Sequence, residues 1–286
     1  MFKKILIAAG WLVVWQLAAI LIHNMILMAG PVEVAFALSE MVMTQAFWSS
    51  LAFSFLRIVL GFLCGSAAGI LLAFLAYRKP LLGEIFAPVV TIFKTAPIAS
   101  FIILALIWFG SARISFVISL IVVFPILYLN TLEGLRSIDV RLIEMAEVYR
   151  IPPASRLRYI ELPEVLPFLT GAFRLSIGMS FKSGIAAELI GQYKLSIGNQ
   201  LYMDKITLDT AGILAWTVVI ILVSWLFEKL FLWLFQTLTA PAGGKNLSSP
   251  AGNAAPDGGS AAPPHEDGSS VPETAGKRQE GGPHDH

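Results

Sequence analysis

Charged side chains are scarce in this sequence. Of its 286 residues, 14% are Asp, Glu, Lys or Arg and 56% are hydrophobic, whereas a soluble domain carries about 25% charged residues. This deficit argues against a soluble globular protein and indicates that lipid surrounds much of the chain. The net charge is only +1, and no basic patch with interleaved aromatic residues occurs. The sequence therefore gives no support to nucleic-acid binding.

Cysteine is nearly absent as well. Cys64 is the single cysteine, which excludes a disulfide within one chain and argues against a metal cluster. Because Cys64 lies inside an apolar run, we expect a small buried apolar side chain there. We predict neither a metal site nor a cofactor in the chain itself.

Recognisable catalytic motifs are also missing. The phosphate loop of ATPases has the pattern G-x-x-x-x-G-K-[ST], and the stretch AGGKN around Lys245 lacks its upstream glycine and its hydroxyl residue. Ser176, Ser180 and Ser183 flank Lys182, but no G-x-S-x-G or H-E-x-x-H motif is present. We predict that the chain is not an enzyme. A hydrolytic activity lost in Lys182→Ala would favour the alternative, an intramembrane enzyme.

Long apolar stretches are what the sequence has in abundance. A membrane-spanning helix needs roughly 20 apolar residues, and six stretches qualify: about 5–22, 51–77, 86–109, 114–132, 165–190 and 209–237. The first is longer than the core of a signal peptide, so we interpret it as a retained anchor. The sequence thus predicts an all-α integral membrane domain, residues 1–239, with about six transmembrane helices.

Basic residues are distributed unevenly between the predicted loops. Lysine and arginine concentrate in short cytoplasmic loops, and placing the N-terminus inside puts nine of them in the cytoplasm and three outside. The cytoplasmic set is Lys3, Lys4, Arg78, Lys79, Arg136, Arg141, Arg150, Arg156 and Arg158, and the external set is Arg113, Lys194 and Lys205. We therefore predict that both termini are cytoplasmic.

The composition changes sharply after residue 239. Residues 240–286 are rich in Gly, Pro, Ala and Ser and have almost no large apolar side chains. Such a segment cannot bury enough surface to offset its ordering entropy. We predict a disordered cytoplasmic tail.

Charges and one proline inside the predicted spans are candidates for a solute path. Intramembrane charges are costly and often functional, and a helix broken by proline often lines a transport route. The candidates are Arg57, Lys94, Pro97, Lys182 and Glu188, and Arg174 lies on the same predicted span as Lys182 and Glu188. Pairing with another helix or snorkelling to a membrane surface is the alternative for each charge. The excess of positive groups suits an anionic solute.

Three glycines recur at a spacing of four residues in the second span. Gly61, Gly65 and Gly69 line one helix face and allow another backbone to approach closely. We predict tight helix packing there, either within the subunit or across a dimer.

The most polar internal segment, residues 137–163, lies between the fourth and fifth spans. Ser137 or Asp139 can cap a first short helix. Pro152 and Pro153 prevent its continuation and begin a second helix, which we expect Pro163 to end. Two short helices joined by a sharp corner, projecting from the cytoplasmic face, are suited to binding a soluble protein.

In this segment the sequence resembles the permease subunit of a bacterial ABC importer. The loop of that family has the approximate pattern E-A-A-x-x-x-G, then about nine variable residues, then I-x-L-P. The matching positions here are Glu144, Met145, Ala146, Arg150, Ile160, Leu162 and Pro163. Arg150 replaces a glycine that normally allows a left-handed turn, so we expect a slightly altered corner. Stretches such as FKTAPIASFIILALIWFG and AAELIG resemble the nitrate, sulfonate and taurine branch.

The resemblance implies a type I importer permease bundle (MetI-like) that forms the translocation path for a small solute. It implies two cytoplasmic ATPase subunits that bind ATP and Mg and grip this loop, with Glu147, Arg156 and Arg158 among its contact residues. It also implies an extracytoplasmic binding protein and pairing in the lipid membrane, either as a homodimer or with a related permease. A channel or secondary carrier that needs no ATPase remains the alternative.

Overall fold

The computed structural model describes residues 2–22 and 27–239. Every regular element in these ranges is helical, and the elements in chain order are α1 (Phe2–Ile22), α2 (Pro31–Val42), α3 (Gln45–Arg78), α4 (Pro80–Thr95), α5 (Ile98–Phe109), α6 (Ile114–Arg136), α7 (Val140–Val148), α8 (Pro153–Arg156), a π-helical segment (Leu157–Glu161), α9 (Leu162–Gly191), α10 (Ile197–Ile206) and α11 (Thr210–Thr239). The predicted tail, residues 240–286, lies outside the described residues.

Several of these helices are suited to crossing a membrane. Within the described ranges, α3, α6 and α11 are long and apolar enough to do so, and the pair α4–α5 adds a fourth crossing if it is one broken span. Helices also occupy the first and fifth predicted spans. However, the apolar part of α1 is short, Ala9–Ile22, and the charges of α9 lower its hydropathy. That six helices cross the membrane therefore stays a prediction.

The bundle is built around α3, α6 and α9. Buried apolar side chains from all three helices form one core, including Phe62, Leu127 and Ile177. Helix α11 adds an aromatic layer, in which the ring of Phe231 lies 5.1 Å from that of Phe62. Apolar contact and edge-to-face aromatic packing therefore hold these four helices together.

Glycines bring α3 and α6 into backbone contact. A Cβ atom at Gly61, Gly65 or Gly69 would lie within 3.0 Å of a carbonyl oxygen of α6, so no larger residue fits this face without moving a helix. The contact lies within the chain. Cys64, on the same helix, is exposed at the bundle surface, so the expectation of a buried side chain was wrong.

The third predicted span is broken at Pro97, as the sequence predicts. Helix α4 ends at Thr95, α5 begins at Ile98, and the two axes differ by 106°. Ala96 is extended, with φ −71° and ψ 144°, because a residue that precedes proline avoids the helical region. Helix α4 begins at Pro80, earlier than the predicted start of the span.

Candidate functional site

The loop between α6 and α9 begins with a capped helix. The Asp139 carboxylate accepts a hydrogen bond of 2.9 Å from the backbone amide of Arg141 at the start of α7, which satisfies one of the free amides of the first turn. Ser137 instead donates to the carbonyl of Gly134 at the end of α6. Of the two predicted caps, Asp139 is the one used.

The corner after α7 is a left-handed turn at Arg150. This residue has a φ of 50°, and the amide of Ile151 donates to the carbonyl of Ala146 over 2.8 Å. The same geometry closes helices that end in glycine, although a side chain makes it about 1 kcal/mol less favourable. Arg150 thus forms the left-handed turn that glycine normally forms, and the slightly altered corner stays a prediction.

The second helix of the loop does not end at Pro163, contrary to the prediction. It begins at Pro153, as predicted, and passes through the π-helical segment Leu157–Glu161 directly into α9. Pro163 has no amide hydrogen to donate, and the amide of Leu162 donates to Leu157, five residues back. The wider π turn accommodates the missing hydrogen bond, and such turns recur at functional sites. One continuous helix therefore connects the corner to the bundle.

The predicted contact residues of the loop fall into two groups. Glu144, Met145, Glu147, Arg150, Arg158 and Pro163 are exposed, whereas Ala146 is buried and Arg156, Ile160 and Leu162 are partly buried. Arg156 forms ion pairs with Glu161 and Glu147 inside the loop. Its charge is therefore largely compensated within the chain.

Exposed apolar side chains also mark the loop, and the sequence reasoning missed them. Val148 is 78% exposed, Tyr149 76% and Tyr159 72%. Exposed apolar groups within a polar segment mark a candidate interaction surface. The signal was present in the sequence, where these residues stand between the charges of the segment.

Two of the predicted path residues brace helices against each other. Glu188 is buried, and its Oε2 accepts hydrogen bonds from Ser54 Oγ over 2.6 Å and from the amide of Gly198 over 3.4 Å. The Arg57 guanidinium lies 4.3 Å from the ring centroid of Tyr193, within the range of a cation–π contact. These contacts join α3, α9 and the start of α10, as the pairing alternative predicts.

The other predicted path residues lie elsewhere. Lys94, beside Pro97, lines a cavity of about 400 Å³ between the α4–α5 break, α6 and α9, together with Asn130 and Glu133. Lys182 is exposed. Arg174 lies 3.4 Å from Glu228 of α11. The structure thus separates the candidates, and of these residues Lys94 is the one that lines this cavity, whose other lining residues include Ala96 and Ile98 on either side of Pro97.

The described residues thus form a bundle with several helices apolar enough to cross a membrane and a polar loop between α6 and α9, the architecture of an integral membrane protein. Residues 65–240 match the family described as "Binding-protein-dependent transport system inner membrane component". The match covers more than half of the chain, so the chain belongs to this family.

Individual relatives agree with the family match. SsuC of Bacillus subtilis, which bears the provisional name of an aliphatic sulfonates transport permease protein, is 28% identical over 192 residues, 66% of this chain and 69% of its own. The taurine transport system permease protein TauC of Escherichia coli is 24% identical over 220 residues, 75% of this chain and 80% of its own. A solved amino acid ABC transporter superimposes with a TM-score of 0.56 and 19% identity, covering 70% of this chain and 97% of that one.

These findings establish the class of function. The chain is a multi-pass membrane permease subunit of an ABC importer and is not a catalytic subunit. Permeases of this kind work with ATPase subunits and binding proteins, which agrees with the lack of a phosphate loop in this sequence.

Proposed function

We propose that this subunit imports a small anionic solute of the sulfonate class and is driven by cytoplasmic ATPases that bind the loop at residues 137–163. Two relatives are named for aliphatic sulfonates and taurine, both of which carry a sulfonate group. The observation that carries the proposal is the corner at Arg150, where exposed charged and apolar side chains stand together at the end of α7 and in the turn that follows it.

The corner supplies a surface of mixed chemistry. Glu144 and Arg150 are exposed charges, and Val148 and Tyr149 are exposed apolar groups next to them. Interfaces combine an apolar centre with a polar rim in this way. The ATPase would therefore cover Val148 and Tyr149 and pair with the flanking charges.

The cavity beside the α4–α5 break is the proposed solute path. Its volume of about 400 Å³ suits a solute of a few heavy atoms, and Lys94 supplies a cation for a sulfonate oxygen. Asn130 adds an amide and Glu133 a carboxylate at the same cavity. Pro97 keeps the break open because it cannot continue the helix.

The proposal also includes the topology of the subunit and its assembly with partners. Both termini lie in the cytoplasm, in keeping with the lysine and arginine bias, and the bundle pairs in the lipid with a second copy or a related permease. Two ATPases bind the loops, and a binding protein delivers solute from the other side. Closure of the ATPases moves the loops, and rocking of the bundles switches access across the membrane.

The test combines two readouts on the assembled complex in liposomes. In Glu144→Arg/Val148→Asp, the retention of the ATPase on the tagged permease and the uptake of radiolabelled taurine should both fall, by roughly tenfold or more if the corner is a hot spot. Met43, 87% exposed and far along the chain, gives the control Met43→Asp, which should leave the retention of the ATPase unchanged. Unaltered retention in the loop variant contradicts the ATPase contact, and wild-type complexes that take up no taurine contradict the solute class.

A further inference from the structure

Four charged side chains join the loop to the end of α3, and we call them the Glu161 cluster. Glu161 is fully buried, and Arg78 Nη2 lies 2.9 Å from each of its carboxylate oxygens. Arg156 Nε lies 3.0 Å from Oε1 of the same carboxylate. Arg156 Nη1 is in turn 3.6 Å from Glu147 Oε1. One buried acid thus holds two arginines in place.

The cluster connects parts of the chain that are remote in sequence. Arg78 is the last residue of α3, Glu147 lies on α7, and Arg156 and Glu161 lie on the helix after the corner. Of the four ion pairs among the described residues, three belong to this cluster. Among these described ion pairs, the pair of Arg78 with Glu161 is the one that leads from the loop to α3.

The π-helical segment is what places Arg156 and Glu161 on one face. Residues five apart in an α-helix are separated by about 140° around its axis, which would point the two side chains in different directions. A π turn closes between residues i and i+5, and Leu157–Glu161 has this geometry. The π segment next to Pro163 therefore aligns Arg156 with Glu161.

A buried carboxylate with two cationic partners resists displacement. Separating it from one arginine would weaken its compensation, and separating it from both would leave a charge buried without compensation, which is strongly unfavourable. Arg78 also lies at the C-terminus of α3, where the helix dipole favours a cation. Helix α3 is itself in backbone contact with α6 along its glycine face. A movement of the corner that keeps these contacts therefore carries the α3–α6 pair with it.

We propose that Glu161 is a positioning residue of import, which through Arg78 and Arg156 makes the corner and α3 move as one body. The inference rests on the proposed function of the loop as the ATPase contact. Being fully buried, Glu161 acts through the two arginines and not by touching the ATPase or the solute. Loss of its charge should leave the ATPase bound while the loop moves without the bundle.

The experiment measures how firmly the corner is fixed to α3. Nitroxide labels are placed at Val140 on α7, away from the proposed ATPase contact at Val148 and Tyr149, and at Leu71 on α3, which are 64% and 62% exposed. The background is Cys64→Ser, and labelled copies are diluted with unlabelled ones. In the wild-type complex with its ATPase, the distance distribution should be narrow and the same with and without ATP. In Glu161→Gln we expect a distribution roughly twofold broader, with an ATP-dependent shift, because the buried partners lose their compensation.

Matched variants separate this role from general damage. Glu164→Gln removes an exposed acid three residues away and should keep the narrow distribution, and Glu161→Asp, which retains the charge, should restore much of it. Arg78→Lys tests the cluster from a partly exposed position in case Glu161→Gln fails to fold, and it should broaden the distribution less. A Glu161→Gln distribution equal to the wild type overturns the inference.

ATPase retention on the same samples distinguishes the two proposals. Wild-type permease whose Val148 corner forms no cross-link to the ATPase contradicts the proposed function, while the width of the distribution without ATPase still tests the cluster. Normal width with lost retention in Glu161→Gln assigns Glu161 to docking and overturns the positioning role.

Discussion

Helix α9 has a buried glutamate at each end, and the two are held by different kinds of partner. Glu161, directly before its first residue, is held by the guanidinium groups of Arg78 and Arg156. Glu188, in its last turn, accepts from a serine hydroxyl and a backbone amide at the start of α10. The loop end is thus fixed by charge and the α10 end by neutral hydrogen-bond donors. Charged contacts suit the loop end, which transmits movement in the proposed mechanism. Neutral hydrogen bonds suit the α10 end, which only has to stay in place.

The largest expected effect is the loss of charge at the loop end. Glu161→Gln keeps the shape but leaves two arginines without their buried counter-ion, so we expect the free energy of unfolding to fall by about 3 kcal/mol, at the lower end of the range for a broken buried pair because Arg78 is partly exposed. Denaturant titration of the detergent-purified permease, followed by tryptophan fluorescence, measures this. A loss below about 1 kcal/mol, the size typical of surface pairs, would contradict the contrast between the two ends.

Replacing the glutamate at the α10 end by glutamine should lower the free energy of unfolding by less. Glu188→Gln retains a carbonyl oxygen for Ser54 and Gly198, so we expect a loss of about 1 kcal/mol, the net value of one altered hydrogen bond. Glu188→Leu removes the acceptor and leaves both donors buried, and we expect roughly 2–3 kcal/mol. The same titration measures both variants. Equal losses for Glu188→Gln and Glu188→Leu would show that charge, not the acceptor, is what this end requires.

Much of this comparison could not be predicted from the sequence. The loop, its cap at Asp139 and the break at Pro97 follow from local signals, namely capping residues, prolines and apolar runs. The partner of Glu161 is Arg78, which is 83 residues away, and nothing near either residue indicates the pairing. Continuation of the helix through Pro163 also depends on a π turn, which proline alone does not predict. Tertiary contacts thus decide which intramembrane charges brace the bundle and which line a cavity.

We expect a pH-dependent change in local stability only at the α10 end. Burial, and then the nearby charge of Asp209, raise the pKa of Asp204 from its ordinary 3.8 to about 6. Since the folded state binds the proton more tightly, its contribution to stability is fully present below pH 3.8 and is lost as the pH rises through about 6. Glu40 and Asp209 line the same cavity, so deprotonation adds a third negative charge there.

Amide hydrogen exchange around Gly212 measures this effect. After correction for the intrinsic pH dependence of exchange, protection of the segment should decrease between pH 5 and 7, and Asp204→Asn should abolish the decrease. Amides of the loop at residues 140–163 serve as the internal control, since the effect depends on Asp204. Protection that rises with pH, or a decrease that persists in Asp204→Asn, would assign the effect to another group.

The smallest expected effects on stability come from two left-handed turns, one in the loop that precedes α9 and one directly after α9. Arg150, with φ 50°, closes α7, and Gln192, with φ 49°, closes α9. Glycine adopts this conformation without steric cost, so Arg150→Gly and Gln192→Gly should each change the free energy of unfolding by at most about +1 kcal/mol. The two ends should diverge in function, because Arg150 belongs to the proposed ATPase contact and Gln192 does not. Weaker ATPase retention in Arg150→Gly alone would show that the arginine side chain contacts the ATPase, although it strains the backbone. Equal retention in both variants would show that the geometry of the turn is sufficient for ATPase binding.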